Sequence, residues 1–142
     1  MVPLAKSIKL KNDTYLDSSS VVYDKQLLSN ILTPQNLTNK INFKNGTLNS
    51  NHNYLYKFGS LIVFNLTVKI ATAIPANTSV EIYTFPSEAI PIGNLLVSGM
   101  SYPNVVLTGS YMQAKTGNII VRSPSKLAVD SEVNLWGVYY LT

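Results

Sequence analysis

Leu61 to Ala71 reads LIVFNLTVKIA, and its period decides the fold class. Taken two at a time, Ile62, Phe64, Leu66, Val68 and Ile70 fall on one side. Val63, Asn65, Thr67 and Lys69 fall on the other. Successive side chains leave a pleated strand on opposite faces, so this is a β-strand with one face in a core and one towards water. A helix would scatter the five apolar residues around its circumference. Tyr54 to Phe58 precedes it, and the small pair Gly59-Ser60 lets the chain reverse. Residues 54–58 and 61–71 are therefore expected to form a hairpin.

Working towards the C-terminus, strand signals recur every 8–12 residues or so, the spacing of a sandwich or barrel. Ser79 to Phe85 alternates, and Pro86 ends it because proline has no N–H to donate into a ladder. Ser87 to Asn94 reads as a loop. Leu95 to Tyr102 reads as one strand, with Gly99 a weak point or bulge. Val105 to Thr108 follows. Ser110 to Ala114 and Asn118 to Arg122 flank the short glycine connection Lys115-Thr116-Gly117. Glu132 to Leu141 closes the chain. It is apolar on both sides, which predicts cover from its own domain on one face and from a neighbouring subunit on the other. About seven or eight strands and no long helix are expected.

Towards the N-terminus the signals are shorter. Ser7 to Lys11, Thr14 to Leu16 and Val21 to Tyr23 read as short extended pieces of a small hairpin unit, separated by turn residues. Asp24 resembles a helix cap, and Leu27, Leu28, Ile31 and Leu32 share one face of a short helix. Thr33-Pro34 restarts that pattern, with a further turn or two over Gln35 to Lys40. Asn45-Gly46 is a strong turn signal. Asn49 to Asn53 has no apolar residue and is taken as the boundary. The expected fold is thus all-β, an antiparallel β-sandwich or jelly-roll head over 52–142. A helix-containing assembly or linker module is expected over 1–51.

Composition narrows the functions. The chain has 142 residues, 46% of them hydrophobic, enough for one core. Only 13% are charged, against about a quarter in a usual soluble domain, which suggests that part of the surface is buried in an oligomer. The net charge of +4 is spread without a dense basic run, so no nucleic-acid partner is expected. There is no cysteine, hence no disulfide or thiolate zinc site. No segment reaches the roughly 20 apolar residues of a membrane span, and the first residues lack a signal-peptide run. Synthesis in a cytoplasm, without membrane insertion, is the expectation.

Catalytic signals are sparse. His52 is the single histidine, so neither a metal site nor a histidine-based triad has support. There is no nucleotide-type glycine loop, and no cofactor is expected. Glycosidase carboxylates would have to come from Glu81, Glu88, Asp130 and Glu132 or the N-terminal Asp residues. A saccharide-binding site needs a flat apolar face for a sugar ring and polar groups for its hydroxyls. Trp136 can supply the face, although a lone Trp on a terminal strand also serves packing. Tyr102, Asn104 and Tyr111 lie at or near turns. Arg122 and Asp130 could clamp hydroxyls, pair with each other or simply be solvated.

One resemblance gathers these signals. Lys57-Phe58-Gly59-Ser60 turns into LIVFNLTVKI, and a later strand closes in Ile82-Tyr83-Thr84-Phe85-Pro86. A loop then leads to a Thr116-Gly117-Asn118 hairpin entering Ile119-Ile120-Val121, and a hydrophobic strand ends the chain. Over residues 52–142 this order resembles the C-terminal head domain of receptor-binding, tail-fibre or baseplate, proteins of phages infecting Gram-positive bacteria. The resemblance implies a non-enzymatic homotrimer of sandwich heads in the virion tail, made in the host cytoplasm. It would bind host cell-wall saccharide, often in a cleft at the subunit boundary, and join other tail proteins through its N-terminal module. Two other readings remain: a structural virion protein with no receptor contact, and a polysaccharide-degrading tailspike fragment.

Overall fold

In the computed structural model, residues 7–9, 15–17, 33–49, 52–103 and 105–141 are described. The chain divides into two compact units, Met1–Pro34 and Gln35–Thr142. In the first, β1 (Ser7–Lys9) pairs antiparallel with β2 (Tyr15–Asp17), Ile8 opposite Leu16. Asp17 is therefore a strand residue, not the start of a turn. The expected strand at 21–23 and helix face at 27–32 lie outside the described residues.

The second unit begins with β3 (Gln35–Asn36), a 3₁₀ turn (Thr38–Lys40), β4 (Asn42–Phe43) and β5 (Thr47–Leu48). Next come β6 (Tyr54–Phe58), β7 (Leu61–Lys69), β8 (Ser79–Thr84), a second 3₁₀ turn (Ser87–Ala89), β9 (Leu95–Leu96) and β10 (Ser98–Ser101). The last four strands are β11 (Val105–Val106), β12 (Tyr111–Met112), β13 (Asn118–Arg122) and β14 (Glu132–Tyr140). They form two antiparallel sheets in a sandwich-like arrangement. The larger has the order β11-β10-β14-β7-β6-β3, with β5 also on β7. The smaller has the order β4-β8-β13-β12-β9.

β7 is the axis of the larger sheet. β14 pairs with its whole length, from Lys69 opposite Glu132 to Leu61 opposite Tyr140. Its other edge is shared in tandem by β6, over Leu61 to Asn65, and β5, over Val68 and Lys69. The β6–β7 hairpin forms as its residues predict. Gly59 has φ 59°, and positive φ at the first of two loop residues is the type II′ pattern. Ile62, Phe64, Leu66 and Val68 are buried and their alternates half-buried, as the period of two requires. Burying side chains of this size contributes about 1.5–3 kcal/mol each.

Between the sheets lies one core. From the larger sheet it takes the buried face of β7 with Val133, Leu135 and Tyr139; from the smaller, Ile82, Tyr83, Met112, Ile119 and Val121. Phe64 meets Phe85 edge to face at 5.1 Å, and Tyr83 stacks on Phe85 at 5.7 Å. Offset and edge-on ring pairs of this kind add to the area term.

Four local expectations are corrected. The boundary does not fall at 51/52, because β3, β4 and β5 pair with β6, β8 and β7 of the later sequence. Two residues of the polar run taken as the boundary serve the ladder instead. Asn49 N–H donates to Thr67 O, and Asn53 Oδ1 accepts from Thr67 N–H. Asn45-Gly46 does turn the chain, and the turn carries it from β4 in the smaller sheet to β5 in the larger. The buried Asn45 amide both donates to Thr72 O and accepts from Thr72 N–H, replacing a ladder step.

Third, Leu95 to Tyr102 is not one strand. Val97 N–H bonds Ser110 O and the chain changes sheets there, leaving β9 and β10 on opposite sides of the sandwich. Gly99 is no bulge; Leu135 opposite it fills the space a Cβ would occupy. Fourth, Gln35 to Lys40 is a strand and a 3₁₀ turn, although Leu37 and Ile41 are buried together as expected. The alternation of Ser79 to Phe85 also breaks at a bulge. Ile119 pairs with Tyr83 and Ile120 with Glu81, so Ile82 is the extra residue and both Ile82 and Tyr83 are buried.

Candidate functional site

The outward face of the larger sheet is graded from one end to the other. At the β6–β7 hairpin end, Phe58, Leu61 and Tyr140 stand in one cross-strand row and Tyr56, Val63 and Val138 in the next. The third row is Tyr54, Asn65, Trp136 and Ser98. Thr67, Asn134 and Met100 form the fourth, Lys69 and Glu132 the fifth. The rows pass from apolar through amide and hydroxyl to charged. Local sequence explains this: β7 and β14 each carry their outward polar residues at the end away from the hairpin, and antiparallel register aligns those ends.

A groove of about 350 Å³ opens at the polar end, lined by Tyr102, Pro103, Thr67, Glu132, Asn134 and Met100. Tyr102 N–H bonds Glu132 O, which extends the β10–β14 ladder by one step and seats the tyrosine beside Glu132. The Tyr102 side chain is 76% exposed. Asn134 Nδ2 donates to Asn65 Oδ1 at 2.8 Å and to Thr67 Oγ1 at 2.9 Å, so the amide is oriented by its neighbours on β7. Glu132 Oε1 accepts from Asn49 Nδ2. The groove thus combines an open aromatic face, a fixed amide, a hydroxyl and a carboxylate, all on or next to paired strands.

A larger depression of about 540 Å³ adjoins it through Met100. Leu96, Val106, Leu107 and Trp136 line it. A third, of about 430 Å³, shares Leu96 and Gly109 with the second and is lined by Tyr111 and Asn94. Of the residues nominated from sequence, Tyr102, Trp136 and Tyr111 each line one of these adjoining depressions. Arg122 is exposed at the end of β13, opposite Ser79, and lines none of them. Asp130 has φ 67° in the turn before β14 and pairs with Lys69 at 3.6 Å, not with Arg122. Asn104 lies outside the described residues.

Sequence reasoning missed Thr67, Asn134 and the binding role open to Glu132. Each looks like an ordinary outward polar residue on its own strand. Only the pairing of β7 with β14 and of β14 with β10 sets them beside Tyr102. The signal available was the run of polar outward positions at one end of both long strands.

Among the described residues no three His, Asp or Glu side chains gather in a way that could hold a metal. No helix among them is long and apolar enough to cross a membrane. No family model matches the chain, and no curated protein matches it.

Proposed function

We propose that the chain is the receptor-binding head of a phage tail fibre or baseplate, a homotrimer that recognises a host cell-surface saccharide without chemistry. The groove at Tyr102 carries this reading. It sets an exposed ring beside planar polar groups on a rigid sheet, which is the arrangement a pyranose needs: one face to stack on and fixed partners for its hydroxyls. A jelly-roll connection of the strands would suit such a head, and residues 1–34 would join other tail proteins. The apolar rows ending in Val138 and Tyr140, with Trp136 beside them, would supply the surface for the neighbouring subunits. That same surface favours the second reading, a structural capsid or baseplate component, because it needs a protein partner and no receptor.

Fluorescently labelled protein, added to a panel of Gram-positive cells with and without their wall polysaccharide, tests the proposal. Saturable binding that disappears on stripping is the expected result. Binding that survives stripping, or its absence across the panel, favours the structural component.

A further inference from the structure

The hydrogen-bonding inventory of the Tyr102 groove selects among saccharides. Asn134 spends its amide N–H groups on Asn65 and Thr67, which leaves its carbonyl oxygen as an acceptor. One Glu132 oxygen accepts from Asn49; the second, Oε2, has no hydrogen-bond or ion-pair partner among the described residues. Thr67 Oγ1 is taken as an acceptor by Asn134, which leaves its proton to donate. Among the described residues no lysine, arginine or histidine lines the groove. The nearest cation on this face, Lys69 opposite Glu132, is paired with Asp130.

We infer that this groove takes a donor-rich, neutral or amine-bearing pyranose and discriminates against anionic sugars, with Glu132 as the selecting residue and Tyr102 as the stacking face. The inference rests on the saccharide-binding reading above and deepens it. Sugar hydroxyls and an ammonium group both donate, and the groove offers mostly acceptors. A carboxylate or phosphate on the ligand would face Glu132 and the Asn134 carbonyl, while Lys69, the nearest cation, lies outside the lining and is paired with Asp130. Like charges in such juxtaposition are the repulsive half of specificity.

The test is titration of the full chain, followed by amide NMR, with three tetrasaccharides: N-acetylglucosamine (neutral), glucosamine (cationic) and galacturonic acid (anionic). The neutral and cationic oligomers are expected to shift Thr67, Tyr102 and Asn134, with the cationic one bound about threefold to fivefold more tightly, the size of an exposed ion pair. The anionic oligomer is expected to bind more weakly than either. Glu132→Gln should remove the cationic preference, because a carboxamide carries no charge for the ammonium group. Tyr102→Ala should weaken both by about fivefold or more, the scale of a lost stacking contact. Anionic binding equal to neutral, or a cationic preference that survives Glu132→Gln, overturns the selectivity. Shifts confined to other residues overturn the site but leave saccharide binding standing. No shift with any of the three overturns this inference, and the cell-binding assay then judges the adhesin reading separately.

Discussion

Two buried tyrosines show how much one hydroxyl depends on its partner. Tyr139 Oη donates to Ala89 O, whereas Tyr83 Oη is fully buried with no hydrogen-bond partner among the described residues. A buried polar group without a partner costs free energy; one with a partner roughly breaks even or gains. Tyr83→Phe is therefore expected to be neutral or to stabilise by about 1 kcal/mol, and Tyr139→Phe to destabilise by about 1–3 kcal/mol by orphaning the Ala89 carbonyl. Urea unfolding of both variants checks this, and a large loss in Tyr83→Phe would refute it. Burial also raises the pKa of Tyr83, with a lesser contribution from the nearby Tyr139, which burial raises too. A raised folded pKa means that the folded protein holds its proton longer than the unfolded chain does. Stability is then unaffected below the unfolded value of about 10 and falls as pH rises above it. Tyr83→Phe should make the alkaline loss shallower, by up to about 1.4 kcal/mol per pH unit.

At the scale of an element, β14 is shaped around a missing side chain. Gly137 lies opposite Phe64, and a Cβ there would stand 2.7 Å from the Phe64 ring. That ring has little room to retreat, because it meets Phe85 at 5.1 Å and Tyr139 at 6.4 Å. Gly137→Ala is expected to cost about 1–3 kcal/mol through overpacking. Gly93→Ala is the control: nothing lies within 4 Å of its Cβ position, so a change within about 0.5 kcal/mol is expected. Equal thermal stability of the two variants would contradict the packing argument. Although both faces of β14 are apolar, the alternation that groups Val133, Leu135 and Tyr139, which are buried together, was readable from its residues. The reason for its glycine was not, because Phe64 is far away in sequence and only register brings it opposite.

For the whole molecule, the question is what covers the apolar half of the outer sheet face. Val138 is 65% exposed and Tyr140 66%, in rows with Tyr56, Phe58, Leu61 and Val63. Tyr54, Tyr56 and Phe58 already pack their rings along β6, with Tyr54 and Tyr56 stacked at 5.5 Å. These rows contain no charged residue, which matches the low overall charge and suits a copy of the same surface. A trimer is expected by light scattering at micromolar concentration. Val138→Asp should dissociate it while leaving the fold intact, because an exposed position tolerates charge in the monomer. A wild-type monomer would remove the oligomer from the functional proposal. A Val138→Asp trimer would move the interface elsewhere.

By itself, the sequence determined the all-β class, the start and inward face of β7, the β6–β7 hairpin, the bounds of β13 and the alternation of β14. Each is a matter of neighbours two residues apart, and a pleated strand writes that period directly into its residues. It also brought Tyr102 and Tyr111 into view as tyrosines at or near turns, and Trp136 as the single Trp on the closing strand. Only the tertiary structure decided that residues 35–48 belong to the sheets, that the chain changes sheets at Val97, and that Asn49 and Asn53 serve the β7 ladder. Only it set Thr67, Tyr102, Glu132 and Asn134 around one groove. Those outcomes depend on which strands pair and in what register. A one-residue shift in pairing would carry a whole strand's side chains to the other face, so the choice is made by the burial of both sheets at once and not by any one segment.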